Sequence, residues 1–137
     1  MELLSSQLAR YLSVGVANMA VGLSTIYLCM YALHMDDVPA NVAGYCAGVA
    51  CSFALNRRWT FASRGAWFPE LLRFLLVLSI AYAANLAMVL VATKLLGLNR
   101  YLAQALGTFP YTAIGYVGSR AFAFRRPSVV ATSMPCK

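Results

Sequence analysis

The chain has 137 residues, 61% of them hydrophobic and only 11% charged, with a mean hydropathy of +0.69. A soluble domain carries about 25% charged residues, so this composition excludes a water-solvated surface and points to a membrane. The net charge of +7 would suit nucleic acid, but the cations sit at the ends of apolar runs and form no stripe along a polar face, which argues against a nucleic-acid partner.

The first uncharged apolar run, Tyr11–Leu33, has 23 residues, more than the ~20 needed to span a bilayer. It is too long for a signal-peptide core and lacks a following A-x-A-like cleavage site, so a retained helix is expected. Backbone groups in lipid must be bonded within the segment, which predicts helix rather than strand here and in the later runs. Gly15, Asn18, Gly22 and Thr25 recur on one face of it. The link HMDDVP (34–39) holds the single histidine, His34, beside Asp36 and Asp37. That setting reads as a solvated loop, not a catalytic dyad. Pro39 suits the first turn of the next helix.

The second run, Val38–Leu55, carries Asn41, Gly44, Gly48 and Ser52; small residues four apart let helices approach closely. It ends in Asn56, Arg57, Arg58 and Trp59, two cations and an amide where an aromatic belt meets the interface. A middle link, roughly 62–72, contains Arg64, Gly65 and Pro69. The third run, Phe74–Thr93, holds Ser79, Tyr82 and Asn85. GLNR (97–100) leads to the fourth, Tyr101–Ser119, with Gln104, Gly107, Tyr111, Gly115 and Gly118, where Pro110 is expected to kink the helix. The tail PSVVATSMPCK (127–137) reads as a flexible cytoplasmic segment.

Of the 11 basic residues, Arg10, Arg57, Arg58, Arg64, Arg73, Arg120, Arg125, Arg126 and Lys137 fall on one side, and Lys94 and Arg100 on the other. The positive-inside rule then puts both termini and the middle link in the cytoplasm. The four acids, Glu2, Asp36, Asp37 and Glu70, are all expected at ends or in links. An ionisable carboxylate at membrane depth is the usual signature of proton coupling, so a proton antiporter is disfavoured. The four cysteines form no C-x-x-C pair, and Cys29, Cys46 and Cys51, inside apolar runs, read as small hydrophobes. Nothing resembles a nucleophile elbow, a phosphate loop or a zinc motif, so no enzyme, cofactor or metal is expected.

Shifting the chain by 63 residues aligns its two halves without a gap. Arg10, Tyr11 and Leu12 fall on Arg73, Phe74 and Leu75; Asn41 falls on Gln104 and Gly44 on Gly107. Asn56 and Arg57 fall on Ser119 and Arg120, Trp59 on Phe122, and Phe61 on Phe124. Composition bias aligns leucine-rich helices somewhere, but the matched arginine, glycine and amide positions favour a duplication. The expected fold is an all-α integral membrane protein: one domain over residues 1–126, four transmembrane helices in a parallel 2+2 repeat of units 8–64 and 71–126. Two such units are related by an axis along the membrane normal, and the cleft between them is a natural binding site. A bundle this small encloses little volume, an argument for a homodimer that the sequence leaves open.

Two chemistries stand out as site candidates. Arg57, Arg58 and Arg120, with Asn56, are expected at the cytoplasmic face, where guanidinium forks suit the phosphate of a membrane lipid. Asn18, Asn41, Asn85 and Gln104 place amides at membrane depth, where they bond either a neighbouring helix or a polar group crossing the bundle.

The stretches RYLSVGVAN, ANVAGYCAGVACSFALNRRWTF and SRAFAFRR resemble the GtrA-like family of small four-helix membrane proteins. The similarity covers about residues 8–126, and its most specific part is the Asn-Arg-x-Trp-x-Phe end of the second helix. The second copy departs from that pattern with Ser119 and Phe122. The resemblance implies a bacterial inner-membrane protein of cell-surface polysaccharide synthesis. It would move a polyprenyl-phosphate-linked sugar from the cytoplasmic to the outer leaflet, with the arginines on the phosphate and the amides along the sugar's path. It also implies an alternative, an anchor or scaffold for a membrane glycosyltransferase.

Overall fold

A computed structural model describes residues 2–125, which form four α-helices and no strand. These are α1 (Glu2–Ala32), α2 (Asp37–Leu55), α3 (Trp67–Leu90) and α4 (Arg100–Gly118). Residues 127–137, expected to be a flexible tail, and Arg126 lie outside the described residues. Among those described, three helices are long and apolar enough to cross a membrane, over Ser5–Ala32, Val38–Thr60 and Trp67–Leu95. The 19-residue α4 is not one of the three; Gln104, Thr108, Tyr111 and Thr112 dilute its apolar character. It runs as one helix across Pro110.

The third helix begins at Trp67 rather than Phe74, which corrects the expectation for Glu70. That residue lies in the first turn of α3, inside a candidate span, and is 4% exposed. An acid in a first turn is favoured by the helix dipole, and here it also has a cationic partner, described below.

Each hairpin is packed along its length, α1 on α2 and α3 on α4. The contacts depend on glycine at two places in particular. A side chain at Gly44 would put its Cβ 2.7 Å from the Gly22 carbonyl oxygen, and one at Gly118 would come 2.7 Å from Val77. Helices in lipid gain little from burying apolar surface against one another, so close van der Waals approach is what holds them. Gly15, expected on the same face as Asn18 and Gly22, has nothing within 4 Å.

The two hairpins meet through aromatic side chains at one end of the bundle. Phe53, Phe61, Phe74 and Phe124 are buried together. Phe61 stacks on Phe124 with centroids 5.2 Å apart, Phe53 lies 5.6 Å from Phe74, and Tyr11 meets Tyr116 edge-on at 5.5 Å. The same end carries π-helical turns after α2 and α4, at Asn56–Thr60 and Ser119–Ala123. Each is closed by a bond across five residues, from the Phe61 N–H to the Asn56 carbonyl and from the Phe124 N–H to the Ser119 carbonyl, both 2.9 Å. A third π turn, Val91–Leu95, follows α3 at the opposite end. There the left-handed residues His34 (φ 50°) and Gly97 (φ 61°) turn the chain out of the helices.

Candidate functional site

A cavity of about 860 Å³ lies between the hairpins. Its polar lining comes from Asn18 of α1, Asn41, Tyr45 and Ser52 of α2, Ser79 and Tyr82 of α3, and Tyr111 of α4. Met19, Leu23, Ile26, Val49, Leu75 and Leu78 supply the apolar wall, and Gly22, Gly44 and Gly48 open the α1–α2 side. No charged residue lines it. Asn18 reaches this space because Gly48 has no side chain: a Cβ there would collide with the Asn18 amide oxygen. Ser79 returns its hydroxyl to the Leu75 carbonyl at 3.0 Å, whereas Tyr45 and Tyr82 are both exposed where they line the cavity. Uncharged amides beside aromatic faces suit a neutral, hydroxyl-rich ligand, since rings pack on C–H faces and amides both donate and accept.

The arginine-rich end is built differently. Arg10 places its guanidinium 5.8 Å from the Trp59 ring and donates Nη1 to the Trp59 carbonyl at 3.3 Å. Arg73 lies 5.8 Å from the Phe122 ring. Arg57 is not free in solvent: its Nε donates to Glu70 Oε2 at 2.6 Å and its Nη2 to the Gly65 carbonyl at 2.7 Å. Arg58 and Arg120 are exposed, and they share this end of the bundle because Phe61 and Phe124, just past the two π turns, stack on each other. Asn56 is 1% exposed. It donates Nδ2 to Ser52 Oγ at 3.3 Å while its Oδ1 has no partner.

The eight residues singled out in the sequence therefore separate into three groups. Asn18 and Asn41 line the cavity. Asn56, Arg57, Arg58 and Arg120 sit at the arginine end. Asn85 and Gln104 lie outside the cavity lining: Asn85 packs inside the α3–α4 hairpin, its amide oxygen against Gly107, and Gln104 is exposed on α4. Two features escaped the sequence reading. Tyr45 is four residues after Asn41 and three before Gly48, a spacing that puts it on their face. Glu70 had no local signal, because its partner lies thirteen residues away in the other hairpin.

Two apolar hairpins around an uncharged cavity, with a cationic belt at one end, define a helical membrane protein with several apolar helices. The sequence matches the family described as GtrA/DPMS, transmembrane domain, over residues 10–124, and the chain belongs to that family. It is 29% identical over 118 residues to the uncharacterized membrane protein YngA of Bacillus subtilis (strain 168), covering 85% of this chain and 78% of that one. It is 38% identical over 53 residues to a bactoprenol-linked glucose translocase of Shigella phage SfX, covering 39% of this chain and 44% of the relative. A bactoprenol-linked glucose translocase of Salmonella phage P22 is 36% identical over 53 residues, with the same shares of 39% and 44%. The chain thus matches less than half the length of these translocases.

Proposed function

We propose that the protein translocates a polyprenyl-phosphate-linked sugar from the cytoplasmic to the outer leaflet of a bacterial inner membrane. The observation that carries this reading is the uncharged cavity between the hairpins, lined by amides and tyrosines, whose Ser52 is bonded by Asn56, the residue before Arg57. The sugar enters the cavity past Asn18, Asn41, Tyr45 and Tyr82, and the arginine end receives the phosphate. Asn85 packs the α3–α4 hairpin beside the path, against Gly107. With no carboxylate in the cavity lining, transport runs down a gradient set by synthesis inside and consumption outside. The names of the phage relatives support the substrate class.

The test is a reconstituted assay. Vesicles loaded with a short-chain prenyl-phosphate glucose on one leaflet should expose it on the other in the presence of the protein. Asn18→Leu, which fills the cavity and removes an amide, should slow the exchange about tenfold, the factor expected from one lost hydrogen bond of ~1.4 kcal/mol. Equal rates with and without protein would leave the second reading, a membrane anchor for a glycosyltransferase.

The same reading has both termini cytoplasmic, α4 as a fourth span and the two hairpins as a parallel duplication. Local geometry 63 positions apart supports the duplication. The Asn56–Thr60 and Ser119–Ala123 π turns correspond, as do the Arg10–Trp59 and Arg73–Phe122 contacts and the left-handed residues His34 and Gly97. The bond from the Met35 N–H to the Cys29 carbonyl recurs as Leu98 to Ala92. For topology, single cysteines at Asp36 and Asn99 should label with an impermeant maleimide from outside, and one at Arg64 only from inside. Labelling of position 64 from the periplasm would invert the map.

A further inference from the structure

Glu70 is held from two sides. Its Oε2 accepts Arg57 Nε at 2.6 Å, and its Oε1 accepts the Ser63 hydroxyl. Arg57 also gives Nη2 to the Gly65 carbonyl at 2.7 Å, and the Ser63 N–H returns to the Arg57 carbonyl at 2.8 Å. The Gly65 N–H donates to Ser63 Oγ at 3.3 Å. A side chain at position 65 would collide with the Glu70 carboxylate. The link between the hairpins, including Ala62 at a left-handed φ of 47°, is therefore fastened around one carboxylate.

Two features suit this fastening to exchange. It joins the hairpins, since Arg57 follows α2 and Glu70 opens α3. It is also lopsided: the Arg57 side chain is 20% exposed and that of Glu70 5%, so of the two partners the guanidinium is the one open to an incoming anion. Phosphate oxygens and carboxylates compete for the same N–H fork.

We infer that Glu70 is an exchangeable counterion: the phosphate of a prenyl phosphate displaces the carboxylate from Arg57, unfastens the 61–66 link and lets the hairpins part at their aromatic end. Glu70 regains water as the link releases. This rests on reading the arginine end as a phosphate seat, and it assigns Glu70 a gating role there.

The test uses the full chain in nanodiscs with farnesyl monophosphate as the probe, and inorganic phosphate and farnesol as separate arms. Binding is followed by the fluorescence of Trp59 and Trp67, and release of the link by trypsin cleavage after Arg64. Farnesyl monophosphate should speed cleavage after Arg64 in the wild-type protein. Inorganic phosphate doing so equally well would assign the exchange to free phosphate, and farnesol should do nothing. Glu70→Gln should bind the probe about tenfold tighter, because a neutral amide competes less well than a charged acceptor, and should be cleaved rapidly without ligand. Glu70→Asp, which keeps the charge but shortens the reach, should behave likewise. If either variant, folded as judged by its helical circular dichroism, binds no tighter, or if the probe leaves cleavage of the wild type unchanged or slows it, the exchange is wrong and Glu70 is a fixed brace. If Arg57→Gln/Glu70→Gln binds the probe as the wild type does, the phosphate seat at Arg57 fails instead.

Discussion

Replacing Arg57 with Gln lowers the stability of the folded bundle by about 3–5 kcal/mol, the cost of leaving a buried charge without its partner. The reason is the asymmetry of the pair: the Glu70 side chain is 5% exposed, and the cation that compensates it comes from Arg57. Thermal denaturation in detergent reads the effect. Arg57→Lys should fall between, because a single ammonium keeps the charge but cannot span Glu70 Oε2 and the Gly65 carbonyl as the planar fork does. Arg57→Gln/Glu70→Gln should recover most of the loss, since no charge is then stranded. A wild-type melting curve for Arg57→Gln would mean that the pair contributes nothing to the fold. Because Arg57 braces the structure, its variants alone do not isolate a role in phosphate binding. Arg58→Gln and Arg120→Gln do so better: both residues are exposed, so these changes should leave stability intact and weaken prenyl-phosphate binding.

Gly44→Val separates α1 from α2. A Cβ at this position would lie 2.7 Å from the Gly22 carbonyl, and it also meets the Ile26 side chain. Backbone cannot yield as a flexible side chain does, so the helices must move apart. Overpacking of this kind costs about 1–3 kcal/mol, and here it also reshapes the cavity wall formed by Gly22, Gly44 and Gly48. The expected result is a lower melting temperature together with loss of leaflet exchange. Gly15→Ala is the control, because nothing lies within 4 Å of that position; it should match wild type in both measurements. Equal tolerance of the two substitutions would show that α1 and α2 are not held by close approach at Gly44.

The membrane class, the four helices and the hairpin connections were legible from composition and run length. In lipid each backbone group must be satisfied within its own segment, so a long uncharged apolar run leaves helix as the answer. The ends were harder. Helix α3 starts at Trp67 because an acid and a proline suit a first turn, yet to a hydropathy reading Glu70 and Arg73 look like the edge of a link. The apolarity of α4 proved weaker than its neighbours', and α4 is not among the three helices that qualify as spans.

What the sequence by itself determined is what depends on local chemistry: helix over strand, a cationic belt at one end, a 63-residue spacing, and membership of a family through the helix 2 ending. What each helix face meets was decided by tertiary structure alone. A helix apolar on all sides carries no polar face to orient it, so Asn18 toward the cavity and Asn85 into a hairpin are outcomes of rotation and packing. They are set by where Gly48 and Gly107 make room. The pairing of Arg57 with Glu70 is of the same kind, because it exists only once α2 and α3 are brought together by the turn between them.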